Sequence, residues 1–67
     1  MKTKDIERIS VGDYIIDSEA LDSYEVKRKK KYGVLVRHIW TNFAGTFYEN
    51  TFVPYDDLRT DNYELVH

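Results

Sequence analysis

The residues Tyr32-Gly33-Val34-Leu35-Val36-Arg37-His38-Ile39-Trp40 form the longest run of β-branched, aliphatic and aromatic side chains in the chain. In 67 residues such a run has to be the central strand, against which every other apolar segment closes. Both of its alternating sets are apolar, with Val34, Val36 and Trp40 on one side and Leu35 and Ile39 on the other. Such a strand is either covered on both faces or belongs to a sheet that curls. For so short a chain the compact solution is a sheet closed on itself, so the sequence predicts a small β-barrel.

Directly before this run stands Lys27-Arg28-Lys29-Lys30-Lys31, which takes five of the ten basic residues and leaves five against twelve acidic ones. The formal net charge of −2 therefore conceals an acidic body with one cationic patch. That distribution argues against nucleic acid wrapped over a wide surface, but not against a local contact. A chain of this length buries only about 60% of the surface its unfolded form exposes, so large side chains matter. Ten aromatics meet that need, and some are surplus to so small a core. With no cysteine there is neither a disulfide framework nor a thiolate metal site, which favours a reducing cytoplasm. No segment has the apolar run of a signal peptide or a membrane span.

Residues 1–9 read as an N-terminal arm or short 3₁₀ turn that lays Ile6 and Ile9 over one mouth of the barrel. Val11-Gly12-Asp13 is a turn into a first strand, Tyr14-Ile15-Ile16. An acidic loop over residues 17–23, pinned by Leu21, leads to a strand arm over residues 24–28 and into the lysine run. Thr41 to Gly45 is a hairpin loop, followed by a strand over residues 46–53 with faces Phe47, Glu49, Thr51, Val53 and Tyr48, Asn50, Phe52. Asn50 in mid-run predicts a bulge or tight turn at Glu49-Asn50. Pro54 belongs at a strand end or edge. Tyr55 to Leu58 reads as one 3₁₀ turn capped by Asp56, with Leu58 directed into the core, and Asp61-Asn62 turns the chain into a last strand, Tyr63 to Val66. The fold class is all-β, a single five-stranded domain over residues 1–67.

Val11-Gly12-Asp13-Tyr14-Ile15, Gly33-Val34-Leu35-Val36-Arg37, and Val53 with Leu58 around a one-turn link resemble the SH3-like small-barrel superfamily of KOW, Tudor and SH3 domains. The resemblance spans about residues 9–66. It implies binding of nucleic acid, a peptide or a larger protein machine, and no catalysis. Barrels of this size are also common among phage-encoded proteins that act on host machinery. The chain departs from SH3 domains proper, whose Ala-Leu-Tyr-Asp-Tyr motif and paired tryptophans are not matched by Ala20-Leu21-Asp22 or Trp40.

The strongest functional candidate is a nucleic-acid contact through Lys27, Arg28, Lys29, Lys30, Lys31 and Tyr32. Phosphates would neutralise the cations with counterion release, and Tyr24, Tyr32 and Trp40 offer stacking surfaces for unpaired bases. The bland alternative is a solvated basic hairpin tip that protects an edge. A second reading is a protein-interaction module, an accessory or inhibitory subunit anchored by Tyr24, Trp40, Phe43 and Tyr48. A third is a homo-oligomer through an exposed strand edge. His38 reads as a partly buried, hydrogen-bonded histidine, and Asp56, Asp57 and Asp61 lack the glycine and later glutamate of a calcium loop. No nucleophile–base arrangement, phosphate loop or H-E-x-x-H is present, so an enzyme is not expected, nor a cofactor, a metal or a membrane.

Overall fold

A two-residue turn, Phe43-Ala44, folds the long apolar run onto the strand that follows it. Asn42 Oδ1 accepts the Ala44 N–H at 2.8 Å, and Gly45 leaves the turn at φ 132°, a value glycine adopts without strain. The computed structural model describes residues 1–20, 22–60 and 62–66. In chain order these form α1 (Thr3–Glu7), β1 (Tyr14–Asp17), β2 (Asp22–Lys29), β3 (Gly33–Asn42), β4 (Gly45–Pro54), α2 (Tyr55–Leu58) and β5 (Tyr63–Val66).

The five strands make one antiparallel sheet in the order β4-β3-β2-β1-β5. The middle place is held by β2, not by the apolar run of β3, which lies one strand in from an edge. β1 ties the two parts of the chain together, pairing with β2 from Tyr14↔Glu25 and with β5 from Tyr14↔Val66. β4 and β5 stand at the two edges, and the ladders among the described residues do not join them into a closed barrel. The outer set on β3, Leu35 and Ile39, is accordingly half-buried rather than enclosed.

The inner face carries the core. Ile15, Val26, Val34 and Val36 point to it from three strands, and Ile6, Ile9, Leu58 and Met1 close over them from α1, its exit, α2 and the N-terminus. Tyr24, Val53, Tyr55, Tyr63 and Leu65 pack around that centre. Neither α1 nor α2 carries a side-chain N-cap, and helices of five and four residues have no independent stability in water. Burial of Ile6 and Leu58 holds them, helped by the Met1 ammonium donating to the Thr60 carbonyl.

Several local expectations differ. β4 runs unbroken through Glu49 and Asn50, because Asn50 lies on an exposed edge where a polar side chain stays solvated and needs no bulge. The register shift lies in β2 instead, between Val26 and Arg28, making Lys27 the extra residue. Just there Val26 uses both backbone groups on the preceding turn, donating to the Asp13 carbonyl and accepting from Gly12 N–H, each at 2.9 Å. Residues 55–58 form an α-turn, not a 3₁₀ turn, and Asp56 does not cap it but pairs with the Arg59 guanidinium. The first segment is likewise α-helical. The expected roles of Leu21 and Asp61 lie outside the described residues. Among the described residues no helix is long and apolar enough to cross a membrane.

Asp17 fastens the start of β5 to the β1–β2 turn. Its Oδ1 accepts from Asn62 Nδ2 at 3.0 Å and from the Glu19 and Ala20 N–H groups at 3.0 and 3.2 Å. The Asn62 bond is the largest influence on its carboxyl and, with the two backbone bonds, holds it below the usual aspartate range against the opposing effect of burial. A carboxyl lowered on folding adds stability above its unfolded pKa, and that stability is lost as pH falls through the folded value. Urea midpoints measured from pH 7 to pH 2 should fall less steeply for Asp17→Asn than for the native chain. Equal slopes would show that the Asp17 cluster contributes nothing to acid sensitivity.

Candidate functional site

Strand alternation and the Lys27 bulge decide which cations meet which aromatics. On the outer face three cross-strand rows lie side by side: Phe52–Leu35–Arg28, Asn50–Arg37–Glu25 and Tyr48–Ile39–Ser23. Tyr48 is 62% exposed and Phe52 44%. The Arg37 guanidinium stands 5.8 Å from the centre of the Tyr48 ring, within cation–π range. Glu25 Oε1 lies 3.1 Å from Lys27 Nζ and 3.9 Å from Arg37 Nη1, so one carboxylate sits between two cations. An open groove of about 320 Å³ runs over this face, lined by Lys27, Arg28, Leu35, Val36, Arg37 and Asn50.

The groove leads towards the basic turn. Lys29 is the last residue of β2 and pairs with Val34, while Lys30, Lys31 and Tyr32 form the link to β3. Lys30 N–H donates to the Gly33 carbonyl at 2.8 Å, and the Lys30 carbonyl accepts the Tyr55 hydroxyl at 2.7 Å. Tyr55 N–H also donates to the Tyr32 carbonyl at 3.0 Å, so the turn backbone is clamped to α2. Its side chains remain outside: Tyr32 is 73% exposed with Lys31 Nζ 5.5 Å from its ring centre.

The remaining predicted anchors are dispersed. Trp40 and Tyr24 lie on the inner face, where ring contacts run from Tyr63 through Tyr24, His38 and Trp40 to Phe47. Phe43 is fully exposed at the β3–β4 tip, and Tyr48 faces outward. Trp40 is seven residues along β3 from Gly33, roughly 23 Å at strand spacing, so it does not share a surface with the lysine run. The aromatics on the surface that reaches the basic turn are Tyr32, Tyr48 and Phe52. Sequence reasoning placed Tyr48 and Phe52 on one strand face, but left Phe52, Arg37 and Asn50 out of the site.

His38 stacks on Tyr24 with ring centres 4.7 Å apart. Asp22 Oδ2 lies 3.0 Å from its Nε2, out of line for a hydrogen bond, and that shielded nitrogen meets no other hydrogen-bonding partner. That contact is an ion pair when the ring is charged, and among the described residues this nitrogen has no hydrogen bond. Burial, ahead of the neighbouring charges, pushes the phenols of Tyr24 and Tyr63 up from their ordinary value. Among the described residues no three His, Asp or Glu side chains are grouped to hold a metal ion. No family model matches the chain, and no curated protein or solved structure matches it.

Proposed function

We propose that the chain is a small non-catalytic module of the SH3-like kind that binds single-stranded nucleic acid across the outer face of β2, β3 and β4. The observation that carries this reading is Tyr48 and Phe52 exposed on one face, with Arg37 between them and Lys27 and Arg28 alongside. Aromatic faces stack unpaired bases whatever their sequence, and guanidinium and ammonium groups neutralise the backbone. Glu25 holds Lys27 and Arg37 in place in the free protein, and Lys29, Lys30, Lys31 and Tyr32 extend the surface at one end. The strand order with a short helix between β4 and β5 supports the SH3-like assignment. The same acidic body noted in the sequence confines the contact to this face, and a cytoplasmic location agrees with a chain free of cysteine.

Fluorescence anisotropy with labelled oligothymidylate, oligouridylate and a duplex tests it over a salt series. Single strands should bind more tightly than the duplex, with log K falling by about 0.7 per phosphate contact for each unit of log salt. Tyr48→Ala and Phe52→Ala should each weaken binding by about 1–3 kcal/mol. Changing Lys27, Lys29 and Lys30 together to Gln should flatten the salt slope. No binding at low ionic strength would end this reading.

The protein-interaction alternative draws on the inner face. There the Tyr24–His38–Trp40–Phe47 row lies beside Asp22 and Asp17, a surface suited to a cationic peptide. It would leave the Phe52 variant without effect.

A further inference from the structure

Among the described residues no strand pairs with the outer side of the edge strand β4, and the parity of β4 is fixed. Tyr55 N–H donates to the Tyr32 carbonyl, one step beyond the Gly33↔Pro54 rung, so odd-numbered residues turn their backbone groups towards β3. The N–H and C=O groups of Thr46, Tyr48, Asn50 and Phe52 therefore point away from the sheet. Pro54, which has no N–H, is also on the outward parity, which is why β4 tolerates it. Apart from that proline the edge carries one charge, Glu49, and every residue from Gly45 to Phe52 is exposed. Among the described residues no lysine, bulge or covering segment guards it against another strand.

The residues along that edge are close to symmetric about Asn50. Moving outward on either side come Glu49 and Thr51, then Tyr48 and Phe52, then Phe47 and Val53. We infer that β4 pairs with β4 of a second copy, antiparallel and centred on Asn50, to give a twofold dimer with one continuous ten-stranded sheet. In this register Asn50 opposes Asn50, and Tyr48 opposes Phe52 twice on the outer face. Phe47 opposes Val53 twice on the inner face. All of the even-numbered pairs are hydrogen-bonded pairs, so the outward N–H groups of Thr46, Tyr48, Asn50 and Phe52 find acceptors. Centring one position earlier would set Glu49 directly against its own copy, and like charges directly opposed are destabilising. The chosen register sets Glu49 against Thr51 instead. It also keeps the two basic turns apart, since Pro54 of one strand faces Thr46 of the other, roughly 27 Å from the second Pro54.

Aromatic cross-strand pairs and strand addition at a free edge both favour such an association. The proposal does not depend on nucleic acid, and its test contains none. Sedimentation equilibrium should show a reversible monomer–dimer system. Asn50→Cys gives a single thiol in a chain otherwise free of cysteine. Opposed Cα atoms in a hydrogen-bonded pair are about 5.5 Å apart, inside the range a disulfide spans. Mild oxidation should therefore crosslink Asn50→Cys, while Tyr48→Cys, displaced from its counterpart by four residues or roughly 13 Å, should stay uncrosslinked. Asn50→Pro removes only an outward N–H and should give a folded monomer by circular dichroism. A strict monomer at hundreds of micromolar, growth past the dimer, or equal crosslinking of the two cysteine variants would overturn the proposal.

Discussion

Leu58→Ala should remove about 3 kcal/mol of stability, within the range for truncating a buried leucine. Leu58 is 1% exposed and is the only residue of α2 that is fully buried. The loss is therefore both of transfer free energy and of the attachment of a helix too short to stand alone. A domain of this size has a total stability of about 3–10 kcal/mol at 0.05–0.15 kcal/mol per residue, so the variant would sit near the edge of folding. Urea denaturation followed by Trp40 fluorescence measures it, with the midpoint falling and the slope unchanged. Leu35→Ala, on the half-buried outer face, is the control and should cost well below half as much. A cost under about 1 kcal/mol for Leu58→Ala would mean that α2 is not held by the core.

Gly33→Ala is the second large effect, and its cause is crowding, since no positive φ is involved. An added Cβ would stand 2.6 Å from Phe52 Cζ and 2.8 Å from Pro54 Cα, and closer still to the Val53 carbonyl. The ring can swing aside but the backbone of β4 cannot, so the ladder must open at its Pro54 end. Overpacking of this kind costs about 1–3 kcal/mol, and for a domain this small each kilocalorie lowers Tm by roughly 4–8 °C. Thermal unfolding by circular dichroism is the measurement. An unchanged or higher Tm, from the lower unfolded-state entropy of alanine, would show that β4 yields without penalty. Because Phe52 is the ring that must move, the same variant should also weaken oligonucleotide binding.

Much of the fold can be read from residues whose burial leaves no alternative. The apolar run announces the strand β3, although with Leu35 and Ile39 apolar as well it does not announce which side is the core, and Ile6, Ile9 and Leu58 have nowhere else to go. The Tyr63–Val66 strand follows from alternation and from Asp-Asn before it, whereas its pairing with β1 does not. What could not be read depends on long-range register. Asn50 looks like a turn residue in isolation, yet on the exposed edge strand it stands across from Arg37 with its polar side chain unburied, so β4 continues through it. The Lys27 bulge arises where Val26 bonds the Gly12–Asp13 turn, a contact between residues that nothing local relates.

The candidate site shows the same division. The lysine run announces itself, but its aromatic neighbours do not. Proximity in sequence suggested Tyr24 and Trp40, whereas strand pairing brings in Phe52 and Tyr48, some twenty residues away along the chain. A face parity is visible in one strand; which parity points outward is set only when β4 lies against β3.

The Lys27 bulge and the turn after it put the cations at one end of β2, while Asp17, Glu19 and Asp22 crowd the turn at its other end. The molecule is 36 Å in its longest dimension, and the lysine run and the Asp17–Asp22 turn stand at opposite ends of β2. A net charge of −2 therefore leaves out how unevenly the charge along β2 is placed. In the field of a polyanion such a body feels a torque as well as a weak net repulsion, and it turns its lysine end forward while still in solution. That alignment acts over about one Debye length, about 8 Å at physiological ionic strength, so salt would slow capture before it loosened any contact.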